Sequence, residues 1–440
     1  MSEYNNGRKS YDQNHNNYNR SRAQREAMRR RERAVRKRKR MIAIGLLAIV
    51  VIVMVISLFS CGGAKSENKG AKSISKKGCT VFYPKKAKDY GKKYAKELVV
   101  KGDKDTVIDY KETELNDCHI YYYGKGKGYM TDKDHVPVTL KKLTDESKKI
   151  ISDYLRYEMK KANKDEAYTT KFMEDTYYDT ITADRFTYGF DESNLICKFP
   201  EYKIDVHIPL KYAQDMLSAD LGIKNEKYIK PVYVNPDRPM VALTFDDGPD
   251  VVADSTHRIL DELYKYDGVG TFFIVGNNLS DGVVDVLEKG IRYGNQYGSH
   301  STSHPELITL DSAAITKQVM YVSDFFEEKL GYKMNIYRPP YGSYNSTVDA
   351  AVPLAAILWD VDSQDWKLRN GQATFDMITQ NVYDKSVVLM HDIHVPSADT
   401  VCDAGLVKWL IDEGYQLVDI NTLAQIKGIE LTQGVHMCWD

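Results

Sequence analysis

The stretch "VALTFDDGPD", residues 241–250, ends an apolar run on two adjacent aspartates and then turns through Gly248 and Pro249. Val241, Ala242, Leu243 and Phe245 read as a buried strand, and Gly-Pro is a strong turn signal. Neighbouring carboxylates at the mouth of such a strand repel each other. They are best tolerated when a cation or a shared proton separates their roles. A solvated acidic turn would use the same residues, because Asp is common in turns. The surrounding pattern has to decide between the two.

That pattern is a regular alternation. The apolar runs "MVALTF", "GTFFIVG", "MNIYR", "LAAILWDVD", "SVVLMHD" and "YQLVDI", with a short run at 296–300, alternate with helical segments at 254–265, 281–293, 311–330, 372–382 and 399–413. Seven strands alternating with helices predict a parallel α/β domain of barrel-like form over about 235–430. Chemistry in such folds sits at the C-terminal ends of strands. Asp246 and Asp247 stand at one such end.

The other strand ends carry chemistry-bearing residues too. The third run leads into "GSHSTSHPEL", where His300 and His304 are four apart and one helical turn would put both imidazoles on one side. Pro305 argues against a long helix there. Two histidines and a carboxylate form the ligand set of many catalytic zinc sites. The fourth run ends in "YRPPYG", where the prolines fix the backbone before Tyr341. The fifth gives "WDVDSQDWK", with Asp360, Asp362, Asp365 and Trp366, and the sixth gives "VVLMHDIH", with His391 after four apolar residues. Any one of these alone reads as an ordinary turn or a hydrogen-bonded structural residue.

Taken in order, "TFDDGP", "HSTSH", "RPPY", "DSQDW" and "LMH" resemble the five motifs of the NodB-type polysaccharide deacetylases, carbohydrate esterase family 4. The resemblance implies a distorted (β/α) barrel and a divalent metal, usually zinc, with cobalt or another divalent ion as alternatives. It implies Asp247, His300 and His304 as metal ligands, Asp246 as general base and His391 as general acid. Asp365 would pair with His391, though Asp362 competes for that place, and Arg338 would orient Asp246. Tyr341 would donate its backbone N–H to the developing oxyanion. Trp366 and Leu389 would form the apolar pocket for the acetyl methyl group. His394 and Asp392 match no family role and read as loop residues.

The rest of the chain bears on where this chemistry happens. At 440 residues the chain has room for two to three domains, and its net charge of −1 hides an uneven distribution. Residues 1–40 carry 14 Lys/Arg against 4 Asp/Glu, which leaves the remainder at about −11. That tail has almost nothing to bury and reads as disordered. An Arg-rich arm alone would suit nucleic acid. Here it abuts residues 41–59, "MIAIGLLAIVVIVMVISLF", an uncharged run just long enough to span a bilayer. The positive-inside rule then makes 1–40 a cytoplasmic tail, 41–60 a single transmembrane helix and 61–440 extracytoplasmic, and nucleic acid is not expected as a partner. "LFSC" before Gly62 loosely resembles a lipoprotein cleavage site.

Residues 61–78 read as a flexible tether. Residues 79–228 read as a Lys- and Tyr-rich α+β domain near the wall, with "CHIYYYGKG" and "EYKIDVHIPL" as strands and a helix opened by Thr144. His119 and His207 there read as structural. "FTYGFDESNLICKFPEYKIDVHIPL" is similar to the lysozyme-sensing type of ectodomain; a plain spacer is the other reading. Six cysteines show no metal-binding spacing. Cys402 with Cys438, or two of Cys79, Cys118 and Cys197, could pair in an oxidising compartment.

The resulting expectation is a membrane-anchored hydrolase that removes the N-acetyl group of N-acetylglucosamine in cell-wall peptidoglycan. Alternatives are a deacetylase of chitin-type glycan or exopolysaccharide, an O-acetyl xylan esterase, and a non-catalytic wall-binding or sensing protein. No protein partner is legible.

Overall fold

The computed structural model describes residues 68, 71–101, 106–115, 118–124, 127–141, 143–162, 181–219, 221 and 227–436. The expected tail (1–40), the expected transmembrane helix (41–60), Cys61 and Cys438 lie outside them. Among the described residues, no helix is long and apolar enough to cross a membrane.

Among the described residues, the first nine strands form three separate three-stranded sheets: β1 (Lys72–Lys76), β2 (Cys79–Tyr83) and β3 (Val107–Ile108); β4 (Lys111–Leu115), β5 (Cys118–Tyr122) and β6 (Gly128–Thr131); β7 (Thr187–Phe190), β8 (Asn194–Phe199) and β9 (Ile204–Pro209). Strand β1 lies inside the segment expected to be a tether. Its Lys/Ser composition hides an antiparallel edge strand that pairs residue by residue with the buried β2. The helix Asp145–Lys161 starts as expected, with Thr144 Oγ1 accepting from the Ser147 N–H at 3.1 Å. Cys79, Cys118 and Cys197 are buried and each is packed into an apolar cluster, the packing role that is the default reading of these residues; no disulfide joins two of them.

That helix also ties the N-terminal sheets to the rest of the chain. Asp267 accepts from Lys230 Nζ at 2.7 Å and pairs with Lys160. Asp153 accepts from Tyr264 Oη at 2.8 Å and Tyr228 Oη at 3.1 Å. Burial alone would raise the Asp267 pKa, but Lys160, Lys230 and Arg156 outweigh it and hold the carboxylate well below its usual range.

The C-terminal half is built on nine strands: β10 (Met240–Asp246), β11 (Thr271–Ile274), β12 (Gln296–Ser299), β13 (Ile336–Tyr337), β14 (Ala355–Ile357), β15 (Val361–Asp362), β16 (Val387–His391), β17 (Gln416–Leu417) and β18 (Gly434–His436). Their order is β15-β16-β10-β11-β12-β13-β14-β18, with β17 also on β10, and every ladder is parallel. This is the α/β architecture expected, but the barrel is open: among the described residues no ladder joins β15 to β18.

Two runs divide where one element was expected. "LAAILWDVD" becomes β14, between β13 and β18, and β15, at the far edge of the strand order. The ladder stops because the carbonyls of Ile357 and Leu358 turn to Arg338, and Asp360 Oδ2 takes the Val387 N–H. The helix expected at 399–413 becomes Val395–Val401 and Leu406–Asp412, divided at Gly405, whose φ of 76° suits glycine. Strand β18 was not foreseen.

The sheet's register sets the site. Asp246 is opposite His391 in the β10–β16 ladder, and Ser299 is opposite Tyr337 in the β12–β13 pair. Thus His300 and Arg338 leave adjacent strands side by side. Phe245, Phe272 and Tyr297 stack in the fully buried layer beneath.

Replacing Asp267 with Ala leaves buried cations uncompensated, and we expect a loss of about 3–5 kcal/mol in urea denaturation. Because the folded-state pKa is depressed, this stabilisation is present above the unfolded value of about 3.9 and is lost as pH falls through the folded value. The deficit of the variant should therefore shrink in acid.

Candidate active site

Arg338 is wholly buried and organises the floor of the site. Its Nη1 donates to Asp246 Oδ1 and to Thr244 Oγ1, both at 2.8 Å, and its Nε donates to the Ile357 carbonyl at 3.0 Å. The guanidinium lies 4.2 Å from the Phe273 ring centre. Thr244 is two residues before Asp246 on β10, so both face the same side of the sheet. One Asp246 oxygen is thereby committed to Arg338. The other is 3.6 Å from His300 Nε2.

Asp247 lies one residue past the strand, with φ at 76°. Left-handed backbone is affordable for Asp, and it swings this carboxylate away from Arg338 and toward the histidines. Asn278 Nδ2 donates to its carbonyl at 2.6 Å. Asp247 Oδ1 lies 3.7 Å from His300 Nε2 and 3.6 Å from His304 Nε2. The facing ligand atoms of Asp247, His300 and His304 all lie within 4.8 Å of one another.

The two histidines are not on a helix. Ser301 and His304 both take positive φ, and the His304 N–H donates to Ser301 Oγ, so a tight turn brings the rings to 4.9 Å. His300 Nδ1 donates to the Arg338 carbonyl at 2.8 Å, leaving the Nε2 lone pair free to point at Asp247. Burial and the neighbouring His300 lower the His304 pKa, which favours the neutral form a ligand needs.

These residues fit a divalent ion. Four-coordinate ligands at about 2.0–2.2 Å from a metal are separated by roughly 3.3–3.6 Å, close to the spacings at Asp247. Distances of 3.6–3.7 Å are too long for hydrogen bonds.

Across the ladder, His391 Nδ1 and Asp365 Oδ1 are 2.7 Å apart. Asp365 also accepts from the His391 N–H, from Ser397 Oγ at 2.6 Å and from the Trp366 N–H. Burial raises the Asp365 pKa, but the bonds from His391 and Ser397 outweigh it and leave the carboxyl below its usual value. Burial likewise opposes charge on His391, yet Asp365, with Asp246 and Asp247 behind it, raises that imidazole to about 9. Asp362 does not compete: its Oδ1 accepts from the Gln364 N–H at 2.8 Å and closes a turn.

Tyr341 takes φ at 61° in the turn Pro340–Gly342, and its exposed ring stands edge-on to His304 at 4.6 Å. Trp366 is about half exposed next to Asp365, and Leu389 is buried in β16 two residues before His391. Thr244, Ser397, Asn278 and Asp392 were not singled out as site residues. Thr244 was within reach of strand alternation, and Ser397, on another helix, had no local signal.

A family model described as polysaccharide deacetylase matches residues 233–356. A solved structure of peptidoglycan deacetylase PdaC from Bacillus subtilis is 38% identical, covers 44% of this chain and 94% of that one, and gives a TM-score of 0.42. The peptidoglycan-N-acetylglucosamine deacetylase of Bacillus cereus is 30% identical over 230 residues, 50% of this chain and 82% of that protein. The chain belongs to the polysaccharide deacetylase family. Among curated deacetylases, the peptidoglycan-N-acetylmuramic acid deacetylase PdaC of Bacillus subtilis is 38% identical over 194 residues, 44% of this chain and 40% of that protein. The peptidoglycan-N-acetylglucosamine deacetylase PgdA of Listeria monocytogenes is 33% identical over 205 residues, 45% of this chain and 43% of that protein. The chain thus spans about four-tenths of the length of PdaC and PgdA.

Replacing Asp365 with Asn removes the charge that raises His391. The alkaline limb of the pH–rate profile, set by loss of the imidazolium proton, should move to lower pH, toward the ordinary value of about 6.5. An unchanged alkaline limb would mean that the limb does not report His391.

Proposed function

We propose that this chain removes the N-acetyl group from N-acetylglucosamine in cell-wall peptidoglycan, releasing acetate and leaving a free amine. The observation that carries the reading is the split between neighbours: Asp247 faces both histidines, while Asp246 is held by Arg338 opposite His391. Ligand set, base and acid are separate groups at the ends of strands of one sheet.

Asp247, His300 and His304 would hold the divalent ion, and two imidazoles with one carboxylate suit zinc, with cobalt as an alternative. A divalent ion there supplies Lewis acidity, making a water acidic enough to lose its proton near neutral pH. Asp246 receives that proton on the oxygen not bonded to Arg338, as the water oxygen adds to the acetamide carbonyl carbon. The Tyr341 backbone N–H is assigned to the oxygen on which charge develops. His391 then donates its proton to the nitrogen as the C–N bond breaks; without that proton the amide anion is too poor a leaving group. Trp366 and Leu389 are assigned to the acetyl methyl group.

The apolar run 41–59, with basic residues before it, supports a single-pass membrane anchor and a deacetylase domain outside the membrane, where wall glycan is the first polymer met. A second reading keeps the reaction and changes the sugar to N-acetylmuramic acid, because the PdaC relative carries that name.

The full chain, purified in detergent with zinc, should release acetate from peptidoglycan. Chelation should abolish release, and His391→Ala should lower it by about 10²–10⁴-fold. Mass spectrometry of the digested glycan identifies the sugar: free amines on glucosamine support the first reading and free amines on muramic acid the second. No acetate from any N-acetylated glycan would overturn both.

A further inference from the structure

Asp392 follows His391 directly, and its side chain is fully buried. Thr256 Oγ1 donates to its Oδ2 at 2.7 Å, and the same Thr256 oxygen accepts from the Asp250 N–H at 2.8 Å. The Asp392 N–H donates to the Asp246 carbonyl at 3.1 Å. The carboxyl is packed flat against Gly248: a Cβ there would stand 2.2 Å from both carboxylate oxygens. On its other side, the Gly248 carbonyl accepts from the Val275 N–H at 3.0 Å.

Asp392 therefore touches the Asp246–Asp250 turn at three successive points: the Asp246 carbonyl, the Gly248 backbone and, through Thr256, the Asp250 N–H. That turn carries Asp247, whose left-handed backbone has to be held by its surroundings. The strand end that carries Asp392 also carries His391. Among the described residues Oδ1 has no hydrogen-bond partner, and burial pushes the carboxyl up to about 7, so this carboxyl is costly to bury.

We infer that Asp392 is a positioning residue: its carboxyl ties the Asp247 turn to the end of β16, fixing the ligand carboxylate relative to His300 and His304 and to the acid His391. Its reach is through Gly248 and Thr256, and it touches neither the reacting atoms nor the ion. Outer partners of this kind typically contribute 10–100-fold to metal affinity or activity. The same packing requires glycine at 248.

The inference rests on the deacetylase reading for its effect on turnover, but not for its effect on the ion. Zinc affinity is measured directly on the full-length protein by competition with a chromophoric chelator, beside thermal denaturation and kinetics on N-acetylated glycan oligomers. Asp392→Ala should bind zinc about 10–100-fold more weakly and lose kcat by a similar factor, with KM within about twofold. Asp392→Asn keeps an oxygen that accepts from Thr256 and should recover zinc affinity to within about threefold of the parent. Thr256→Val, which keeps the shape and removes the hydroxyl, should weaken zinc in the same direction as Asp392→Ala. Parent-like zinc affinity in a folded Asp392→Ala protein overturns the inference. So does an Asp392→Asn variant as weak as the alanine one, since the role would then lie in charge and not in the tie.

Discussion

The site depends on one buried ion pair, Arg338 with Asp246. A guanidinium with no solvent exposure is tolerable only where its donors are satisfied and a counter-charge is at hand. Asp246, Thr244 and the carbonyls of Ile357 and Leu358 meet that demand. The arrangement has two consequences. It ends β14 by drawing the Ile357 and Leu358 carbonyls inward, and the chain next joins the sheet at its far edge as β15. It also commits one Asp246 oxygen, so the two neighbouring aspartates are no longer equivalent. The question raised by "TFDDGP" has its answer in this pair: one carboxylate is anchored from below and the other is turned outward.

Around that anchor, local backbone strain does the aiming. Asp247, Ser301, His304, Tyr341 and Gln364 all take left-handed conformations within the loops at the strand ends. Such conformations cost of order 1–3 kcal/mol each and persist only where the surroundings enforce them. The surroundings here are specific: Asn278 on the Asp247 carbonyl, Ser301 Oγ on the His304 N–H, and Asp392 against Gly248. Rigid parallel strands supply register, and the loops supply direction.

Much of this was legible in the chain. The β10 strand, the strand-end aspartates and the alternation of runs and helices follow from hydrophobic periodicity, because the central strands β10 to β14 are buried on both faces. The partition of Asp246 and Asp247 was not legible from spacing, since it depends on Arg338, 92 residues away. The two carboxylates competing for His391 could not be ranked until the turn at Gln364 took up Asp362. Asp392 reads as a loop residue in the sequence because burial of its carboxyl is created by Gly248 and Thr256, from distant parts of the chain. Strand β1 was hidden by its polar composition. An edge strand buries little, so no hydrophobic pattern announces it.

The most direct test of this account compares metal content and acetate release in two isosteric variants, Asp246→Asn and Asp247→Asn. The account predicts that Asp246→Asn retains one equivalent of tightly bound divalent metal while acetate release falls by about two orders of magnitude or more. Asp247→Asn should lose the metal and the activity together. If Asp246→Asn loses its metal as completely as Asp247→Asn, the two carboxylates act as one ligand group, and the division of roles set by Arg338 is contradicted.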